Sequence, residues 1–324
     1  MTHIPILSIC IPTYNRASFL QELIASIESQ LGGVPVGSVE IVVSDNASTD
    51  NTEELIAAYR RKGAEIKYLR HDKNLGMDAN YLSAINMAAG EYCWLMGDDD
   101  LISDGGIHVM LELIGGSYSL IVANARAYDV RMQSPTGMVY LGGKHADCND
   151  AFLAIGPWIS FISSMCFPRL AFLNQSDLYL SKMKTLIAFC YVILRMIKTG
   201  GVVITDVEIV KYRSGNTGGY NLYNVFVVEV ERLLTFAVAE GYDQHSINYV
   251  RNAFMTRVII PCTVQYRLSE KKLPPLWESI TIIFRSRVGV FMKLYVIGIR
   301  LAPTTLLQAI KFLKGVWRQR SMSC

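Results

Sequence analysis

The chain has 324 residues, 51% of them hydrophobic, with a formal net charge of +3 and a mean hydropathy of +0.26. That length accommodates one large α/β domain with an appendage, or two domains, and the small charge excludes a protein held to nucleic acid by overall basicity. Seven cysteines without a Cys-x-x-Cys pair exclude a disulfide framework and a structural zinc site, and fit a reduced, cytoplasmic setting.

The amino terminus shows no basic n-region and no small-residue cleavage site, so residues 6–11 read as a first strand and not as a signal peptide. They lead through Pro12-Thr13-Tyr14-Asn15-Arg16 into a helical pattern carried by Phe19, Leu20, Leu23, Ile24 and Ile27. Residues 39–44 form a second buried strand ending at Asp45-Asn46-Ala47-Ser48-Thr49-Asp50. Thr49 or Asp50 can cap the next helix there, with Glu53 and Glu54 in its favourable first turn. A third strand, 66–69, precedes Arg70-His71-Asp72-Lys73-Asn74-Leu75-Gly76, and a helix over 77–89 delivers the chain to an apolar run that ends in Gly97-Asp98-Asp99-Asp100.

Adjacent carboxylates repel unless a cation sits among them. In an extended segment Asp98 and Asp100 point to one side, a pair suited to Mg²⁺ or Mn²⁺ with positions left for phosphate oxygens. The competing reading is a solvated acidic turn capping the helix that begins near Ser103-Asp104. Alternating strands and helices predict a mostly parallel sheet with helices on both faces, and ligands in such folds sit outside the carboxyl ends of the strands. Asp45, Asn74, Asp98 and Asp100 all fall at such ends, which favours the metal and nucleotide reading.

The ordered set Ser8-Ile9-Cys10-Ile11-Pro12-Thr13-Tyr14-Asn15-Arg16, Val42-Val43-Ser44-Asp45-Asn46-Ala47-Ser48-Thr49-Asp50, Asn74-Leu75-Gly76 and Gly97-Asp98-Asp99-Asp100 resembles the motifs of family 2 glycosyltransferases. The resemblance implies a GT-A nucleotide-binding fold and inverting transfer from a nucleotide-diphospho-sugar, with Mg²⁺ or Mn²⁺ on the diphosphate. By the same resemblance Pro12, Tyr14 and Arg16 would border the nucleotide, and Asp45 would contact base or ribose. Arg70, Asn74 and Gly76 would shape that pocket, and Asp98 and Asp100 would serve metal and ribose.

Beyond the acidic motif a helix from Gly105 and a strand over 118–124 are expected, then a hairpin and loop over 133–150. Residues 158–167 mix small hydroxyls with aromatics, which suits either a sugar-acceptor groove or a plain amphipathic strand with inward rings. That stretch and the acidic motif are similar to the branch containing O-antigen abequosyltransferases, which implies a CDP-linked 3,6-dideoxyhexose donor and a lipid-linked oligosaccharide acceptor.

One feature departs from the family pattern. The family's base is commonly an Asp in a Glu-Asp pair opening a helix; the matching helix here, over 185–195, has Ala188-Phe189 at that place. Phe189 cannot accept a proton. Asp177, on an expected loop, is the next candidate base, against a capping or surface role; Asp99 and Asp206 also stand as candidates. The polar turn 211–220, with Lys211 and Arg213, reads as a lid whose N–H groups and Arg213 neutralise a leaving diphosphate, or as a bare glycine-rich connector.

From Val225 the pattern is helical, and Pro274-Pro275 marks a break. The remainder sets Trp277, Phe284 and Phe291 among Arg285, Arg287, Lys293, Arg300, Lys311 and Arg318, a basic amphipathic pattern for an anionic membrane surface, or a helical bundle docked on a protein surface. Residues 288–301, interrupted by Lys293 and Arg300, fall short of the ~20 needed to span a bilayer. The whole reads as a GT-A catalytic domain over 1–224, with a donor half to about 102, and a membrane-associating helical region over 225–324. It predicts a peripheral enzyme at the cytoplasmic face of the inner membrane. A non-catalytic sugar-nucleotide or glycan-binding subunit on the same fold is the alternative. A nucleotidyltransferase would need a glycine-rich triphosphate loop with a lysine, which residues 12–16 lack.

Overall fold

The computed structural model describes residues 4–138, 142–145, 147–214, 224–261, 263–264, 283 and 289–302. The chain divides into two units, Met1–Asn216 and Thr217–Cys324. The first opens with β1 (Leu7–Thr13), buried at every position, followed by α1 (Ala17–Leu31), β2 (Val39–Asp45), α2 (Thr52–Arg61), β3 (Ile66–Arg70), α3 (Met77–Met87) and β4 (Tyr92–Leu95). These four strands are parallel in the order β3-β2-β1-β4, each joined to the next in sequence by a helical crossover. Continuous apolar strands pack helices on both faces, and Leu20, Leu23, Ile24 and Ile27 of α1 are buried against them as the helical period predicts.

The next elements are β5 (Leu101–Ile102), α4 (Gly106–Ile114), β6 (Leu120–Tyr128), β7 (Pro135–Met138), β8 (Gly143–His145) and α5 (Cys148–Ile155). After two 3-10 turns, Gly156–Ser160 and Ile162–Ser164, come β9 (Met165–Pro168), α6 (Arg169–Leu173), α7 (Ser176–Ser181), α8 (Ala188–Ile197) and β10 (Val202–Arg213). The sheet has ten strands, with the path β3-β2-β1-β4-β9-β6-β10-β5. Strand β9 is antiparallel to both neighbours, β4 and β6, while β6 and β10 are parallel. The result is a mixed α/β sheet flanked by helices.

The structure revises several local expectations. Strands β7 and β8 do not form a hairpin with each other: β7 pairs with β6, and β8 with β10. Of residues 158–167, only 165–167 form a strand; 158–160 and 162–164 lie in 3-10 turns, the first containing Pro157, to whose carbonyl the Ser160 hydroxyl folds back. Helix α8 begins at Ala188, three residues later than expected, because Lys184 and Leu186 take left-handed conformations, φ 80° and 64°. Asp177 lies in the first turn of α7 and not on a loop.

At the amino-terminal edge of the sheet, Glu40 accepts hydrogen bonds from the Ser8 hydroxyl and the Ala89 and Gly90 N–H groups, and pairs with Lys67 at 2.6 Å. A Cβ on Gly90 would stand 2.8 Å from the Ser8 nitrogen, so the close approach of this turn to β1 requires glycine.

In the second unit, a π-helical segment Asn224–Glu229 leads into α9 (Val230–Ala239). Next come α10 (Gln244–Phe254), capped by Asp243 on the Ser246 N–H, a π segment Met255–Ile259, and α11 (Val290–Leu301). Val227, Met255, Ile259, Ile283 and Val296 form its core, and Glu231 pairs with Arg251 at 2.9 Å. Residues 215–220 of the glycine-rich turn, the Pro274-Pro275 break and most of the basic segment beyond it lie outside the described residues. Among the described residues no helix is long and apolar enough to cross a membrane.

Candidate functional site

The carboxyl ends of β1, β2, β3 and β4 meet at one edge, where side chains lock their loops together. At the end of β1, the Thr13 hydroxyl donates to Asp98 Oδ2 at 2.8 Å, and Arg16 Nη1 donates to Asp98 Oδ1 at 3.0 Å. Arg16 also lies 3.5 Å from the Asp99 carboxylate. Asn15 is left-handed, φ 53°, a conformation Asn tolerates; its N–H donates to the Ser48 hydroxyl and its Oδ1 accepts from the Thr49 N–H at 2.7 Å. Pro12 is buried in register with Ser44, whereas Tyr14 is exposed.

Asp45 ends β2 fully buried. Its Oδ1 accepts from the Ser48 N–H at 2.8 Å and its Oδ2 from the Tyr68 hydroxyl at 2.7 Å. Burial, reinforced by that carboxylate, pushes the Tyr68 hydroxyl well above its ordinary pKa, so it remains a donor. Arg70 donates to the Ser48 carbonyl at 2.9 Å. Asn46 closes the β3 loop: its Nδ2 donates to Asn74 Oδ1 at 3.0 Å and the Gly76 carbonyl at 3.3 Å, and its Oδ1 accepts from the Leu75 N–H. Gly76, at φ 89°, occupies backbone space that a side chain would strain.

The acidic motif forms a turn and not the expected extended segment, since the Asp100 N–H donates to the Gly97 carbonyl at 3.2 Å. Asp98 and Asp100 nonetheless both face inward, 5% and 2% exposed, each held by its own donors. The Ser163 hydroxyl donates to Asp100 Oδ2 at 2.5 Å while accepting from the Gly97 N–H at 2.9 Å, and the Arg213 N–H donates to Asp100 Oδ1 at 2.8 Å. Burial raises both carboxyls. Asp98 is pushed up to about 6, with Arg16 opposing and Asp99 adding to the shift; Asp100 is also raised well above the ordinary carboxylate range, with Asp99 again adding.

Arg213 is buried beside the acidic turn. Its side chain is 3% exposed, and its guanidinium donates to the Asp99 carbonyl at 2.7 Å, the Val130 carbonyl at 2.6 Å and Glu22 at 2.6 Å, over the Phe19 ring. Through these bonds Arg213 clamps the acidic turn. Asp177 is exposed on α7, and no hydrogen bond or ion pair holds its carboxylate among the described residues. Asp206 is exposed at the irregular middle of β10. Phe189 is buried, edge-on to Tyr81 with centroids 6.1 Å apart.

Sequence reasoning missed Thr13, Asn46, Tyr68, Ser163 and His71, whose Nε2 is 3.2 Å from the Ser44 hydroxyl. Thr13 and Asn46 lie inside the quoted motifs, and Ser163 inside the hydroxyl-rich stretch; Tyr68 carried no signal beyond its place near a strand end.

Carboxylates are hard oxygen donors suited to Mg²⁺ or Mn²⁺. Among the described residues no group of three or more His, Cys, Asp and Glu forms a metal cage. Asp98 and Asp100 fit a divalent cation bound by one or two carboxylates: both are buried and raised, and Arg16 offsets part of the negative charge at Asp98.

Residues 8–138 match the model of Glycosyl transferase family 2. Over 106 residues the chain is 42% identical to an abequosyltransferase, RfbV, of Salmonella typhimurium, covering 32% of this chain and 31% of the relative. Over 121 residues it is 29% identical to a GalNAc(5)-diNAcBac-PP-undecaprenol beta-1,3-glucosyltransferase of Campylobacter jejuni, covering 37% and 38%. The matches thus span about a third of the length of these relatives. Among solved structures, TarS 1-349 of S. aureus in complex with UDP superposes with TM-score 0.61 at 16% identity, covering 86% of this chain and 78% of that one. The mannosyltransferase PcManGT of Pyrobaculum calidifontis, in complex with GDP-Man and Mn²⁺, gives 0.54 at 14% identity, covering 92% and 86%. Residues 8–138 are thus similar to glycosyl transferase family 2, and the chain shares the fold of these glycosyltransferase structures.

Proposed function

We propose that this chain is a metal-dependent inverting glycosyltransferase that moves a sugar from a nucleotide-diphospho-sugar to a lipid-linked oligosaccharide. The observation that carries this reading is the convergence of Arg16, Asp45, Asp98 and Asp100 at one sheet edge, each fixed by short hydrogen bonds before any ligand arrives. Preorganised charge of this kind is what transfer from a diphosphate requires. The loops bearing Pro12, Tyr14, Asp45, Arg70, Asn74 and Gly76 border the nucleotide. Asp98 and Asp100 hold Mg²⁺ or Mn²⁺, which when bound offsets charge on the diphosphate. Arg16, fixed on Asp98, adds a fixed positive charge at the same edge. An acceptor hydroxyl attacks the anomeric carbon in one displacement: the new glycosidic bond forms as the bond to the diphosphate oxygen breaks, the nucleoside diphosphate leaves with the electron pair, and the hydroxyl proton passes to a carboxylate, for which Asp99 and Asp177 are the candidates.

Similarity to the Salmonella abequosyltransferase supports a 3,6-dideoxyhexose such as abequose, carried on CDP, and an O-antigen product. Similarity to a transferase whose name specifies a PP-undecaprenol acceptor supports a lipid-linked acceptor. Such an acceptor in turn suits a cytoplasmic enzyme peripheral to the inner membrane, its helical region from about 225 onward at the lipid surface. In an assay with CDP-abequose and an undecaprenyl-diphosphate-linked oligosaccharide, Asp98→Ala and Asp100→Ala are each expected to lower transfer by more than about 10²-fold while far-UV circular dichroism keeps the native signal. Full activity in both variants would sink the assignment. The buried Phe189 at the family's base position favours a second reading, a non-catalytic binding subunit; CDP binding without turnover in the wild-type chain would select it.

A further inference from the structure

A carboxylate outside the acidic motif holds the turn that opens α8. Asp78, in the first turn of α3, is 3% exposed. Its Oδ2 accepts from the N–H groups of Lys184 at 2.9 Å and Leu186 at 3.0 Å, and its Oδ1 from the Ala188 N–H at 3.3 Å. The Tyr179 hydroxyl donates to the Asp78 carbonyl at 2.6 Å. Lys184 and Leu186 are the two left-handed residues of this turn, a conformation that long side chains keep only where their surroundings impose it. Helix α8 has no acidic residue in its first turn and no side-chain cap of its own, so Asp78 supplies the anion at its positive end from a different element.

The same helix is tied to the nucleotide-side loops. Asn80 Nδ2 donates to the Thr13 carbonyl at 3.3 Å, its Oδ1 accepts from the Ser44 hydroxyl at 2.7 Å, and Asn46 reaches the Gly76 carbonyl. Thr13 in turn holds Asp98. A short chain of bonds therefore runs from the acidic turn through α3 to residues 184–188.

We propose that Asp78 is a positioning residue: it fixes residues 184–188 as the acceptor-side wall of the site, in register with the nucleotide loops. The proposal rests on the transfer reaction put forward above. Asp78 acts through the backbone it holds and not as the proton acceptor: its carboxylate is buried against the N–H groups of residues 184, 186 and 188.

The test uses the full chain, Asp78→Asn, and Asp78→Asn combined with Lys184→Gly and Leu186→Gly. An Asn side chain sets an amide donor against backbone donors. Asp78→Asn is expected to speed amide exchange at residues 184 and 186 by about tenfold or more. Thermal stabilisation by CDP with Mn²⁺ should stay within about twofold in apparent affinity. With CDP-abequose and the undecaprenyl-linked acceptor, KM for the acceptor should rise about tenfold and KM for the donor should hold. The glycines, which adopt the left-handed turn freely, should restore part of the acceptor KM. Unchanged exchange, an equal loss of donor affinity, or no rescue by the glycines would overturn the role. If Asp78→Asn does not fold, Asp78→Glu carries the same comparison with a displaced carboxylate. Exchange needs no turnover, so a wild-type chain inactive in transfer defeats the proposed reaction while the hold of Asp78 on the turn is still measured.

Discussion

The hydroxyl of Ser163 accepts from the Gly97 N–H and donates to Asp100, so one side chain fixes both ends of the acidic turn. Removing it leaves a buried N–H without its acceptor and a buried carboxylate without one of its donors. Ser163→Ala is therefore expected to cost about 1–3 kcal/mol in urea unfolding and to weaken stabilisation by Mn²⁺; a variant as stable as the wild type, with equal Mn²⁺ response, would show that the turn holds itself. Ser163 also marks the limit of sequence reading at this scale. The acidic residues were legible because like charges crowd together in sequence at a strand end, but the hydroxyl that orients Asp100 comes from 63 residues away. The same holds for Asp78, whose partners lie more than a hundred positions on. As a residue in a helix's first turn it reads as an ordinary helix-start acid; only the fold reveals a second helix at its carboxylate.

Arg213 joins elements and not merely residues. From the end of β10 it reaches α1 through Glu22 and holds the acidic turn through the Asp99 carbonyl. These directions suit a planar fork, which lysine lacks. Arg213→Lys is expected to destabilise the chain by about 2 kcal/mol in urea unfolding, since bonds from a charged donor are lost while the charge is retained. Unchanged stability would instead point to a free cation serving the ligand. Elements were legible where local period decides them: β1 to β4 and α1 to α3 follow from apolar runs and helical spacing. Elements set by distant pairing were not. Strand β9 has four residues inserted antiparallel between β4 and β6, β7 and β8 pair with separate strands, and α8 starts late because its turn is held from α3.

At the scale of the molecule, a sheet that places strand ends together also places charge together, and ligands in α/β folds bind at that edge. The motifs that resemble family 2 glycosyltransferases belong to this edge, in the region where the family model matches. At the start of α8 Asp78 brings in a carboxylate from α3, committed to backbone N–H groups. The central claim is that the edge bearing Asp98 and Asp100 binds a nucleoside diphosphate together with a divalent cation. The most direct measurement is calorimetric titration of the wild-type chain and Asp100→Ala with CDP, UDP and GDP, with Mn²⁺ and with a chelator. The account predicts that one diphosphate binds the wild type tightly only with Mn²⁺, and that Asp100→Ala loses the Mn²⁺-dependent part. Equal binding by both proteins, unaffected by chelation, would contradict it.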